Sequence, residues 1–191
     1  MKVLIIYAHP NPKSYNHDVL EVFTKGLKEK GHTFEVVDLY AIKFDPRLTL
    51  DDYAQFTGKP MPKDVLEQQE KVSNTDALVF ISPVWWSNLP AILKGWIDRV
   101  LSCGFAYKYV EDGTEGLLKH KKALIINTTY YSKADYKSWG MKDAMKTIFV
   151  DVTMKGCGIE NVEHILLFEA EGDTEARKKY LELAYCLGKE F

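Results

Sequence analysis

Five apolar runs, at residues 2–8, 33–39, 76–82, 122–128 and 162–168, punctuate the chain. Stretches such as Val3-Leu4-Ile5-Ile6 and Ala77-Leu78-Val79-Phe80-Ile81 lack the polar alternation of a strand with one wet face, so they predict parallel strands covered on both sides. Between the runs the apolar period lengthens to three and four. Leu89, Ile92, Leu93, Trp96, Ile97, Val100 and Leu101 make one helical stripe, with Pro90 tolerated in the first turn. Met141, Ala144, Met145, Ile148, Phe149 and Val152 predict another helix before Gly156. Tyr180, Leu183, Ala184 and Leu187 predict the last, capped at Asp173 or Thr174. The first helix spans residues 15–30 and stops at Gly31, which is free to turn left-handed.

Strands alternating with helices imply right-handed βαβ crossovers and an α/β three-layer sandwich around a five-stranded parallel sheet. Residues 44–61, with Pro46, Gly58 and Pro60, interrupt the alternation as a meander with one short helix around 51–56, placed to fold over a site. No repeat, low-complexity tract or shift in composition divides the chain, so residues 1–191 form a single domain.

Composition narrows the class. A chain of 191 residues buries on the order of 70% of its unfolded surface and needs no staples. A net charge of −2 gives no general attraction for nucleic acid or anionic lipid. Cys103, Cys157 and Cys186 are an odd number without metal-ligand spacing, so they predict reduced thiols, no disulfide and no metal site. Val3 to Ala8 is too short for a signal-peptide core or a membrane span. The expectation is a cytoplasmic protein without direct membrane insertion.

Two loops at predicted strand ends carry the candidate chemistry. The first, His9-Pro10-Asn11-Pro12-Lys13-Ser14-Tyr15-Asn16-His17, has hydroxyl and amide donors where dinucleotide folds have glycines. Ser14 or Asn16 opens a helix whose unpaired N–H groups and dipole favour a phosphate, with His9 and Lys13 able to add charge. The same residues also read as a polar loop with an ordinary serine cap. The second loop, Ser82-Pro83-Val84-Trp85-Trp86-Ser87-Asn88-Leu89-Pro90, offers an aromatic wall where open α/β sheets bind ligands.

Ala8-His9 with Ser14-Tyr15-Asn16 resembles the opening of the flavodoxin-like NAD(P)H:quinone reductases of the DT-diaphorase type. Asp38-Leu39-Tyr40, Phe44-Asp45-Pro46, Pro83 to Trp86, the helix from Pro90 through Ala91-Ile92-Leu93-Lys94-Gly95-Trp96 to Val100, Phe105-Ala106-Tyr107 and Thr128-Thr129 follow in that family's order. The resemblance implies a flavodoxin-like sheet of order 2-1-3-4-5 with a flavin at the carboxyl ends of strands one, three and four. It implies His9, Ser14, Tyr15 and Asn16 around the ribityl phosphate. Pro83, Val84, Trp85 and Trp86 would edge the isoalloxazine, Trp86 more than Trp85. Thr128, Thr129, Tyr130 and Tyr131 would approach the pyrimidine side. Arg177 matches an arginine that FAD-binding members place near the adenine, so the cofactor is FAD or FMN with a lean to FAD.

The family sets a tyrosine and, six residues later, a histidine near flavin N1 and the C2 carbonyl. Tyr136 keeps the first, and Lys142 replaces the second. Pointing inward, Lys142 would be a fixed cation stabilising anionic reduced flavin; pointing outward, it begins a solvated helix face. Tyr130-Tyr131 stand where the pattern often has two glycines; they would narrow the slot, supply phenolic donors or pack against a neighbouring subunit. Tyr107 and Tyr109 match a segment through which family dimers line each other's sites, which implies a homodimer.

The implied reaction is two-electron ping-pong transfer, hydride passing from NADH or NADPH to flavin N5 and on to a quinone or similar flat acceptor. A flavin-binding ancillary subunit of a potassium efflux system is the alternative. A flavodoxin-type electron carrier is disfavoured by the balanced charge, and a flavin-free response-type domain by His9-Pro10 where an acidic cluster would stand.

Overall fold

The computed structural model describes residues 1–171 and 174–191. The apolar runs form strands β1 (Lys2–Tyr7), β2 (Thr33–Asp38), β3 (Ala77–Pro83), β6 (Lys122–Thr128) and β7 (Val162–Leu167), all paired in parallel in the order β2-β1-β3-β6-β7. Leaving out a small hairpin, β4 (Tyr107–Val110) and β5 (Gly113–Gly116), this is the expected 2-1-3-4-5. Every residue of the central β3 is buried, which is why its sequence shows no alternation.

Helices α1 (Tyr15–Glu29) and α6 (Thr174–Glu190) cover one face; α2 (Lys63–Ser73), α3 (Ala91–Val100) and the segment 141–154 cover the other. Of the expected caps, Asp173 lies outside the described residues, and Thr174 is the first residue of α6. Gly26 and Gly188 let α1 and α6 touch through their backbones: a Cβ on Gly188 would sit 2.2 Å from the Phe23 carbonyl oxygen.

The structure corrects two expectations and adds one element. After a short α4 (Lys133–Ser138), the helix expected through residues 141–152 is instead a short α5 (Met141–Met145) that widens into a π-helix, Lys146–Met154. Hydrogen bonding to the fifth residue moves the buried stripe to Met145, Phe149, Val150 and Met154, leaving Ile148 and Val152 exposed. The hairpin β4–β5 escapes an apolar-period reading because most of it is exposed.

The meander at residues 44–61 does not fold over the carboxyl ends of the sheet. It contains the expected short helix, a 3₁₀ turn at Leu50–Phe56, and is tied to α3 through Arg99. The Arg99 Nε donates to Asp52 Oδ1 at 2.8 Å, one terminal nitrogen donates to Asp64 at 2.6 Å and to the Asp45 carbonyl at 2.8 Å, and the guanidinium lies 5.4 Å from the Phe44 ring centre. Asp52 is fully buried and Arg99 is 4% exposed.

Candidate active site

The carboxyl ends of β1, β3 and β6 meet at the point where the strand order reverses, and the two loops singled out by sequence converge there. They enclose two merging hollows. One is polar, about 360 Å³, lined among others by His9, Asn11, Ser14, Tyr15, Asn16 and Arg177. The other is aromatic, about 790 Å³, lined by Val84, Trp85, Trp86, Tyr130, Tyr131, Tyr136, Trp139 and Met141 among others. Val84, Trp85, Thr129 and Tyr130 belong to both.

Ser14 caps α1, its Oγ accepting from the His17 amide at 3.3 Å, so the serine-cap reading holds. The first-turn N–H groups of Tyr15 and Asn16 have no partner within the helix, and they open toward the polar hollow. The loop is braced from within: the Asn11 amide donates to His9 Nδ1 at 3.1 Å and the Lys13 amide to Asn11 Oδ1 at 2.9 Å. At the far end the Arg177 guanidinium stacks 4.4 Å from the Tyr15 ring centre, while the Tyr15 hydroxyl donates to the Arg177 carbonyl at 2.7 Å. Burial pushes the Tyr15 phenol up to about 12, so it remains a neutral donor.

Asn16 supplies the most informative atom. Its Nδ2 donates to Thr128 Oγ1 at 2.9 Å, but its buried Oδ1 has no partner in the protein. A buried acceptor left open costs about 1–3 kcal/mol and calls for a donor from elsewhere. Open amides, an unpaired acceptor and an adjoining aromatic slot suit a ligand with a phosphate, a hydroxylated linker and a flat ring. A flavin has those parts in that order.

In the aromatic hollow, Trp85 and Asn88 exchange backbone hydrogen bonds of 2.9 and 3.0 Å around a two-residue turn. Trp86 (φ 48°) and Ser87 (φ 61°) both adopt left-handed conformations there, strained for residues with side chains. Trp86 is left wholly solvent-exposed on the rim, while Trp85 packs 5.8 Å from the His9 ring. Opposite, Tyr131 meets Tyr130 and Trp139 edge to face at 5.5 and 4.9 Å. Tyr130 and Tyr131 both line the slot.

Tyr136 forms its inner wall and is 2% exposed. Burial raises its pKa against the lowering influence of the nearby Thr129 side chain, so it is a neutral donor at physiological pH.

Lys142 falls elsewhere. It is exposed and lines two smaller hollows behind Tyr136, not the aromatic slot, because α5 turns its side chain to the other side of the Trp139–Met141 ridge. Its neighbour there is His164, held by burial and then by the Lys142 charge down to about 4. The His164 Nε2 bonds Asn127 Oδ1 at 2.9 Å, and Asn127 Nδ2 donates to Ser82, a polar chain running across the sheet. Tyr107 and Tyr109, on β4, line neither part of this chain's own cleft. Sequence reasoning missed Trp139 and Met141; an aromatic residue three positions after Tyr136 was the available signal.

A parallel sheet with an amphipathic, flavin-shaped cleft at its switch point defines a flavodoxin-like flavoprotein. A family model described as a flavodoxin-like fold matches residues 1–185. Ribosyldihydronicotinamide dehydrogenase [quinone] of Rattus norvegicus is 33% identical over 200 residues, 94% of this chain and 87% of the rat protein. NAD(P)H dehydrogenase [quinone] 1 of Cavia porcellus is 33% identical over 187 residues, covering 87% of this chain and 68% of that protein. The solved structure of an NAD(P)H:quinone oxidoreductase from Methanothermobacter marburgensis superposes with a TM-score of 0.92 at 38% identity, covering 100% of this chain and 96% of that one. The chain belongs to the flavodoxin-like NAD(P)H:quinone oxidoreductase family and is an enzyme of that type.

No helix among the described residues is long and apolar enough to cross a membrane, and no group of His, Cys, Asp and Glu among them is arranged to hold a metal.

Proposed function

We propose that the protein transfers two electrons from NADH or NADPH to a quinone or similar flat acceptor by a ping-pong route. The supporting observation is the merged cleft: a polar end with an unpaired buried acceptor and open amides, and an adjoining aromatic end that suits a flat guest beside the cofactor ring. Flavin supplies the redox chemistry when bound, accepting hydride from the donor and passing the electrons on.

The protein's part is positioning. Ser14, Tyr15 and Asn16 hold the phosphate and ribityl end, with His9 flanking it. Pro83, Val84 and Trp85 fix the ring edge, and Thr128 to Tyr131 bound its other side. Tyr136, kept protonated by burial, donates a hydrogen bond where negative charge gathers on the ring. Trp86, Tyr131 and Trp139 exclude water from the guest. Arg177 stacked on Tyr15 offers a cationic shelf beyond the phosphate end, which supports FAD over FMN. Tyr109 is 64% exposed beside Val110, an apolar edge suited to covering the cleft of a second copy, with Tyr107 behind it. The working unit is therefore read as a homodimer in the cytoplasm.

Purified protein is expected to be yellow, to release FAD or FMN on denaturation, and to bleach with NADH or NADPH without oxygen. Steady-state rates with menadione should give parallel double-reciprocal lines, and the particle mass should be about twice 21.9 kDa. Protein that binds flavin but turns over neither donor would instead favour the ancillary-subunit reading. Protein that refuses both flavins would remove the proposal altogether.

A further inference from the structure

Behind Tyr136, on the far side from the aromatic slot, lie two adjoining hollows of about 260 and 330 Å³ that share Lys133, Lys142 and Phe168. Their floor is apolar, built from Phe168, Val150, Val162, Ile165 and Leu166, and their rim carries Lys133, Lys137, Lys142 and Lys146. Lys146 is paired with Asp151, at 2.6 Å. Lys133, Lys137 and Lys142 have no ion pair among the described residues, and Asp143 is the one carboxylate on the rim. His164 is neutral there and adds no charge. Three lysines held about one apolar hollow repel one another unless an anion joins them, and each would gain from a phosphate close by.

Tyr136 lines both the slot and the hollow. Trp139 and Met141 line the slot, whereas Gly140 and Lys142 line the hollow, so the segment between them is the dividing ridge. Its crest is Gly140, in a left-handed conformation (φ 66°), and a Cβ placed there would meet nothing within 4 Å. With no side chain there, the ridge stays low at Gly140. A molecule with a flat ring in the slot and an anionic group some distance along its chain fits this arrangement.

We infer that the hollow receives the 2′-phosphate of NADPH, with Lys133 and Lys142 as its main contacts and Gly140 as the crossing point, so that this enzyme prefers NADPH to NADH. The inference rests on NAD(P)H being the donor. A phosphate monoester carries close to two negative charges at neutral pH, and the other parts of the two dinucleotides are the same, so the lysines act on the difference alone.

The test compares kcat/KM for the two donors, with menadione as acceptor, in the wild-type flavin-loaded enzyme, in Lys133→Met/Lys142→Met and in Lys133→Arg. The expected result is a preference for NADPH of about tenfold or more at low salt, shrinking as ionic strength rises. It should fall toward one in the double methionine variant and be largely kept in Lys133→Arg. Calorimetry without turnover gives a second readout: adenosine 2′,5′-bisphosphate should bind more tightly than adenosine 5′-monophosphate to the wild type but not to the double variant. Oxidation of both donors with equal efficiency, or a preference that the double variant leaves intact, overturns the inference while leaving the enzyme reading in place. Failure to oxidise either donor overturns both.

Discussion

Arg99→Met is expected to lower the free energy of unfolding by about 3–5 kcal/mol. The side chain is almost completely buried, and removing it leaves the fully buried Asp52 without its cation while freeing Asp64 and the Asp45 carbonyl. Burial pushes the Asp52 carboxyl up, but the Thr49 amide, the Arg99 guanidinium and the Thr49 hydroxyl outweigh it and hold the pKa below its ordinary value. A carboxyl depressed in the folded state stabilises the protein above its unfolded pKa, about 4, and that contribution drains away as the pH falls through the folded value.

In the wild type, acid should therefore weaken the fold below about pH 4 through this group. In Arg99→Met the acid dependence from Asp52 should shrink or reverse, since protonation then relieves an unpaired buried charge. Urea unfolding at pH 7 and pH 3.5 measures both effects. Arg99→Met/Asp52→Asn should recover part of the loss, because the surviving side chain is no longer charged. A single-variant loss under about 1 kcal/mol would mean that the meander is held mainly by its other contacts.

The second large effect concerns the cofactor. Asn16→Asp should weaken flavin binding by at least about 100-fold, because it sets a buried carboxylate beside a phosphate-bearing ligand in place of a neutral amide. The fold should be spared. A carboxylate in the first turn of α1 is favoured by the helix dipole, and the Thr128 hydroxyl, which now accepts from Asn16, can turn round and donate. Fluorescence titration with FMN and FAD, alongside the thermal midpoint of flavin-free protein, separates the two. A change of less than threefold for both flavins would mean that the open Oδ1 of Asn16 does not face the cofactor.

The sheet was legible because its strands are buried on both faces, and an uninterrupted apolar run such as 77–81 has few other readings in a chain that alternates with helices. Position along the strands carried the site as well: loops after β1, β3 and β6 had to converge once the order was known, which brought His9, Asn16, Trp85 and Thr129 together. What stayed hidden were features set by distances in space. Arg99 and Asp52 stand 47 positions apart, and neither local pattern hints at the other. The π-helical turn obeys a period that the search for steps of three and four does not contain. Lys142 was ambiguous because the direction of its side chain depends on how α5 sits against the slot, which its neighbours in sequence do not specify.

The placement of the four tryptophans has an optical consequence. Trp96 is sealed in the core, whereas Trp85, Trp86 and Trp139 stand around one opening. The emission of the chain accordingly divides into a blue, shielded component that reports the integrity of the sheet and a red, quenchable component that reports what lies in the slot. Unfolding and occupancy then alter different parts of one spectrum, and the molecule carries its own label for each.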